Sequence, residues 1–124
     1  MVRIRALSVF LTVLALLSLP ASANKSSVSI KAPASAKVGE EVKIQLNIFH
    51  RGNSSLHHTK KVVVLANQKE VARWEFSSSS RPESENFARE IKLKIEAETE
   101  IVAEASCNLH RSAGQVSVRI KVES

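Results

Sequence analysis

Val42-Lys43-Ile44-Gln45-Leu46-Asn47-Ile48 alternates an aliphatic side chain with a polar one at every step. Successive side chains of an extended chain point to opposite faces, so this stretch reads as a strand with one buried and one wet face. The same period returns in Ile91, Leu93 and Ile95, in a strand that Phe87 opens, and again in Val116, Val118, Ile120 and Val122. Further apolar runs predict strands over residues 27–32, 62–65, 70–76 and 101–107. Turn formers separate them: Lys37-Val38-Gly39-Glu40, the loop from His50 to His58 with Gly52, Asn53, Ser54 and Ser55, and Asn67-Gln68. The serines at 77–80, followed by Arg81-Pro82-Glu83, make a loop long enough to cross between two sheets. No stretch keeps a helical period over three turns. These signals predict an all-β fold, an immunoglobulin-like antiparallel β-sandwich of about seven strands.

Residues 1–23 are expected to lie outside that fold. Arg3 and Arg5 give a basic start, residues 6–19 are apolar, and Ala21-Ser22-Ala23 is a small-residue cleavage site, the pattern of a signal peptide. The apolar run is short for a bilayer span, so the expectation is cleavage after Ala23, no stable membrane anchor, and a domain of residues 24–124 that is exported, periplasmic or extracellular. Loss of Arg3 and Arg5 leaves a net charge of about +4, with the basic residues interleaved with Glu along the strands. With no Tyr and only Trp74 as an indole, there is no stacking platform, and nucleic acid is excluded as a partner. Trp74, near Val71 and Phe76, reads as a sheet-packing residue. The chain has no Asp and no Ser with a credible His and carboxylate pair, which excludes a hydrolytic triad. Its three glycines, Gly39, Gly52 and Gly114, form no phosphate cradle.

Cys107 is the only cysteine, so in an oxidising compartment it cannot form an internal disulfide. It is simply buried, pairs with another chain, or ligates a metal. The spacing Cys107-Asn108-Leu109-His110 suits chelation, and all four histidines fall in two places, His50, His57 and His58 in one loop and His110 beside the cysteine. A thiolate with imidazoles selects among iron, copper and zinc rather than calcium or magnesium. Neighbouring residues of an extended segment face opposite ways, so His57 is taken as the ligand, with His58 as its neighbour or substitute. Lys60 and Lys61 follow, a solvated pair or an attraction for a small anion near a metal mouth.

His50, His57-His58-Thr59, Val62-Val63-Val64, residues 67–73 and Glu104-Ala105-Ser106-Cys107-Asn108-Leu109-His110 together resemble the iron-binding domain of the superoxide reductase and desulfoferrodoxin family. The likeness spans most of residues 40–122, and Cys-Asn-x-His is its specific element. It implies a mononuclear non-haem iron cofactor (Fe2+/Fe3+) with Cys107 as axial ligand and His50, His57 and His110 among the equatorial imidazoles. No catalytic residue beyond the metal ligands is implied. Superoxide is the implied substrate, reduced by one electron to hydrogen peroxide, with the electron donor unspecified. The sequence departs from the family in having no histidine between Asn24 and Phe49, where the family has its first ligand after a Glu-Lys pair. Either His58 is the alternative ligand for the open place, water takes it, or three histidines and the thiolate hold the iron. The same scaffold as a non-catalytic exported iron or copper binding or sensing module is the alternative function.

Overall fold

The computed structural model describes residues 25–124; the expected leader lies outside them. Eight strands follow in order, β1 (Ser27–Lys31), β2 (Ser35–Lys37), β3 (Glu40–Phe49), β4 (Thr59–Ala66), β5 (Lys69–Glu75), β6 (Phe87–Ile95), β7 (Thr99–Cys107) and β8 (Val116–Glu123). They form a three-stranded sheet of order β1-β3-β6 and a five-stranded sheet of order β2-β8-β7-β4-β5. The fold is all-β, as the alternation predicts, with one strand more than the seven read from the sequence. The extra strand is β2, three residues whose one apolar side chain, Ala36, is too little pattern to signal a strand. It pairs parallel with β8, through Ser35, Ala36 and Lys37 opposite Lys121, Val122 and Glu123, so the expectation of purely antiparallel sheets fails at this edge.

The core lies where the two inner faces meet. Val42, Ile44, Leu46 and Ile48 of β3 and Ile95 of β6 face Val62 and Val64 of β4, Ile101, Ala103 and Ala105 of β7, and Ile120 of β8. Most of these are fully excluded from solvent, and burying each large aliphatic side chain contributes about 1.5–3 kcal/mol. Trp74 is half-buried against this core, in agreement with its reading as a packing residue.

Asn67 and Gln68 both take positive φ, 48° and 70°, and close the β4–β5 hairpin with Ala66 opposite Lys69. Two consecutive residues in that region make the mirror-image turn that matches strand twist, and Asn is one of the side chains that tolerate it. After β5 the chain crosses to the other sheet through residues 76–86. Reciprocal backbone hydrogen bonds between Ser77 and Ser80 make a tight turn there. Glu83 then takes a two-pronged bond from Arg89, at 2.8 and 3.0 Å, and the Arg89 guanidinium lies 4.9 Å from the centre of the Phe87 ring. The bond from Arg89 holds the Glu83 carboxyl below the ordinary carboxylate range.

Candidate metal centre

The antiparallel pairing of β4 with β7 sets Thr59 opposite Cys107, so the start of β4 and the end of β7 meet at one edge of the sandwich. β3 ends at the same edge, immediately before His50. His57 and His58 arrive at the head of β4 after the 50–58 loop. Strand register therefore delivers the histidine loop and the Cys107 turn to one place.

One donor atom each from His50, His57 and Cys107 lies within 4.8 Å of the other two. His50 is 4 % and Cys107 6 % exposed, so two of the three are withdrawn from water. The His57 ring packs edge-on against His50, 4.6 Å between centres, and against His110, 5.2 Å. His110 itself is exposed and falls outside the group of three. His58 is buried but turned elsewhere: its Nδ1 lies 3.0 Å from the Ser54 carbonyl oxygen.

The tautomer of His50 follows from its contacts. Its Nδ1 lies 2.7 Å from the Gly52 carbonyl oxygen, an acceptor only, so Nδ1–H donates and Nε2 carries the lone pair. Burial holds this imidazole below the ordinary histidine pKa, against the upward pull of the Gly52 bond. Nε2 of His50 and Nε2 of His57 are both buried without a hydrogen-bond partner. Buried polar atoms are seldom left bare, because each costs about 1–3 kcal/mol in lost hydration. Imidazole nitrogens and a cysteine sulfur gathered in this way are a group that could hold a soft or borderline transition metal.

Three neighbouring segments hold these rings. Gly52, at φ +122°, has the His57 ring where a side chain would begin: a Cβ there would stand 2.7 Å from His57 Nδ1. Gly52 N–H donates to Glu85 Oε2, His50 N–H to Asn86 Oδ1 and Asn53 Nδ2 to the Pro82 carbonyl, which ties the loop to the crossover segment. Asn108 ties it to the cysteine turn by three bonds. Its backbone N–H donates to the His58 carbonyl at 3.0 Å, its Oδ1 accepts from His58 N–H at 2.8 Å, and its Nδ2 donates to the Leu56 carbonyl at 3.1 Å. Leu109 N–H points at the Cys107 sulfur, 3.4 Å away. The positioning roles of Asn108 and Gly52 were not read from the sequence, although an Asn directly after a chelating cysteine was a signal. Glu85 and Asn86 gave none, since they come from a remote loop.

The class the structure defines is an all-β sandwich that gathers two histidines and its one cysteine at one edge. The desulfoferrodoxin family model matches residues 20–112, most of the chain, and the protein belongs to that family. Among solved structures, the superoxide reductase (neelaredoxin) from Ignicoccus hospitalis shares the fold at 20 % identity and a TM-score of 0.70, over 85 % of this chain and 87 % of that one. A CARDB domain from Pyrococcus furiosus, solved in complex with di-metal ions, is similar at 14 % identity and a TM-score of 0.59, over 81 % of this chain and 94 % of the domain. The sulfur carrier protein SoxY from Chlorobium limicola gives 15 % identity and a TM-score of 0.51, over 77 % and 74 %. At these identities the likeness is one of fold. No curated protein matches the sequence.

Proposed function

We propose that the protein is an exported non-haem iron protein that reduces superoxide by one electron to hydrogen peroxide. The observation that carries this reading is the gathering of His50, His57 and Cys107, one donor atom of each within 4.8 Å of the other two, with both histidine Nε2 atoms buried and unpartnered. The donor set fits iron: two imidazoles and one cysteine sulfur, with the His110 ring next to His57 as a further imidazole. When bound, iron supplies the one-electron couple, and superoxide takes that electron and two protons to give hydrogen peroxide.

The chain's own residues do the rest. Cys107 would hold the iron through its sulfur and donate charge to it. The Leu109 N–H aimed at that sulfur would temper the donation, since hydrogen bonds to a ligating sulfur tune the metal. The Gly52 carbonyl fixes His50 in the tautomer whose Nε2 is free to ligate. Asn108 holds the histidine loop at a constant distance from the sulfur. Export follows from residues 1–23, and the mature protein is expected to begin at Asn24, which N-terminal mass spectrometry of secreted material checks.

Stopped-flow mixing with superoxide tests the activity. Peroxide should form faster than spontaneous dismutation; formation at the spontaneous rate would leave a non-catalytic iron or copper module. That second reading has its own observation: residues 24–49 hold no histidine, and His110 stands outside the close group.

A further inference from the structure

The edge that gathers His50, His57 and Cys107 also leaves large apolar side chains in water. Among the described residues, Phe49, Leu56 and Leu109 are three of the six large hydrophobic side chains left exposed, at 48 %, 78 % and 63 %. Phe49 ends β3 directly before His50, and Asn108 ties the Leu56 carbonyl to the turn that carries Leu109. Both leucines stand on loops beyond the strand ends, outside the core. Apolar side chains gathered in this way mark a surface that meets a partner or a membrane.

Basic side chains surround these three. Lys25 and Arg51 line a cavity of about 330 Å³ with Phe49 and His50, and Lys60, Lys61 and Arg111 line one of about 540 Å³ with Leu109 and Cys107. Adjacent residues of a regular strand face opposite ways, so Lys60 and Lys61 share a wall only because Lys60 is the extra residue of a β-bulge: Thr59 pairs with Cys107 and Lys61 with Ser106. Among the described residues none of the five cations is in an ion pair. The acids of the two cavities are held by donors of the chain itself, Glu85 by Gly52 N–H and Glu104 by Ser112 Oγ. The turns at the opposite end of the sandwich carry Glu40, Glu96 and Glu98 instead.

Exposed leucines on loop tips with a cationic rim suit an anionic bilayer. The apolar tips enter the boundary between headgroups and acyl chains, while lysine and arginine heads meet the lipid phosphates. The chain also enters the fold here: Lys25, the first described residue, lies on this edge, and the apolar residues 6–19 precede it in the sequence. We propose that this edge docks the protein reversibly on an anionic phospholipid surface, through Phe49, Leu56 and Leu109, with Lys60, Lys61 and Arg111 on the phosphates. A few apolar tips and a basic rim give a reversible contact, not an anchor. The docking stands on the surface alone and needs no iron.

Co-sedimentation with lipid vesicles tests the docking, using the leaderless protein, residues 24–124, which holds all eight strands. Binding is expected to vesicles of phosphatidylglycerol mixed with phosphatidylcholine at low ionic strength. It should be about tenfold or more weaker to phosphatidylcholine alone, or once salt screens the charges. Lys60→Glu and Arg111→Glu should each weaken it about tenfold or more, since each reverses a charge and a single cation near such a surface counts about fivefold. Leu56→Ser and Leu109→Ser should each weaken it about tenfold, with the salt dependence unchanged. Val38→Ser, which removes an exposed apolar side chain from the opposite end of the sandwich, should bind as the parent does. Circular dichroism should stay native in all five variants. No binding to anionic vesicles at low salt, equal binding to neutral vesicles, or binding that neither the leucine nor the charge exchanges alter overturns the docking. So does self-association in its place, seen by ultracentrifugation as a dimer that Leu109→Ser dissolves.

Discussion

At the scale of single residues, the centre depends on what each side chain is left free to do. His58 spends its Nδ1 on Ser54 and is outside the group of three, whereas His50 and His57 keep an unpartnered nitrogen. Replacing Cys107 by Ser should therefore abolish the thiolate charge-transfer band of the iron-loaded protein, while His58→Ala should keep it nearly intact, both read by absorption spectroscopy. Gly52→Ala is the sharper steric test. A Cβ at 2.7 Å from His57 Nδ1, on a backbone with φ +122°, must push the ring or the loop aside. Denaturant unfolding should show a loss of about 1–3 kcal/mol. Sequence clustering pointed to the histidines and the cysteine. It did not distinguish His57 from His58 by more than strand alternation, because the deciding fact is where Ser54 and Gly52 lie in the folded loop.

At the scale of elements, strands with a strict two-residue period were legible and the connections less so. β3 and β8 announce themselves by alternation, and Asn67-Gln68 announces a turn by its chemistry. β2 does not, since three residues at a parallel edge need only backbone partners. The bulge between Thr59 and Lys61 is equally silent in the sequence, because it is a relation between two strands rather than a property of one. The link between the histidine loop and the end of β7 is concentrated in Asn108. Asn108→Ala removes three side-chain bonds, to His58 N–H, the Leu56 carbonyl and the Cys107 sulfur. About 1–2 kcal/mol of stability should be lost in chemical denaturation, and metal affinity should fall about 10–100-fold in a competition titration, as when supporting partners of metal ligands are removed.

At the scale of the whole molecule, the stability of the sandwich and the proposed metal site are expected to be separable. Ile44 and Ile101 are fully buried on opposing sheets, far along their strands from the Cys107 edge. Ile44→Ala should cost about 2–5 kcal/mol in unfolding free energy, yet leave one metal bound per folded chain, as counted by elemental analysis. The account's central claim is that Cys107 and at least His50 and His57 hold one iron together. Metal content combined with the optical spectrum of the oxidised, Fe(II)-reconstituted protein tests it most directly. The prediction is one iron per chain and a visible thiolate-to-iron charge-transfer band that Cys107→Ser removes. A folded protein that binds no iron, or binds it without such a band, would contradict it.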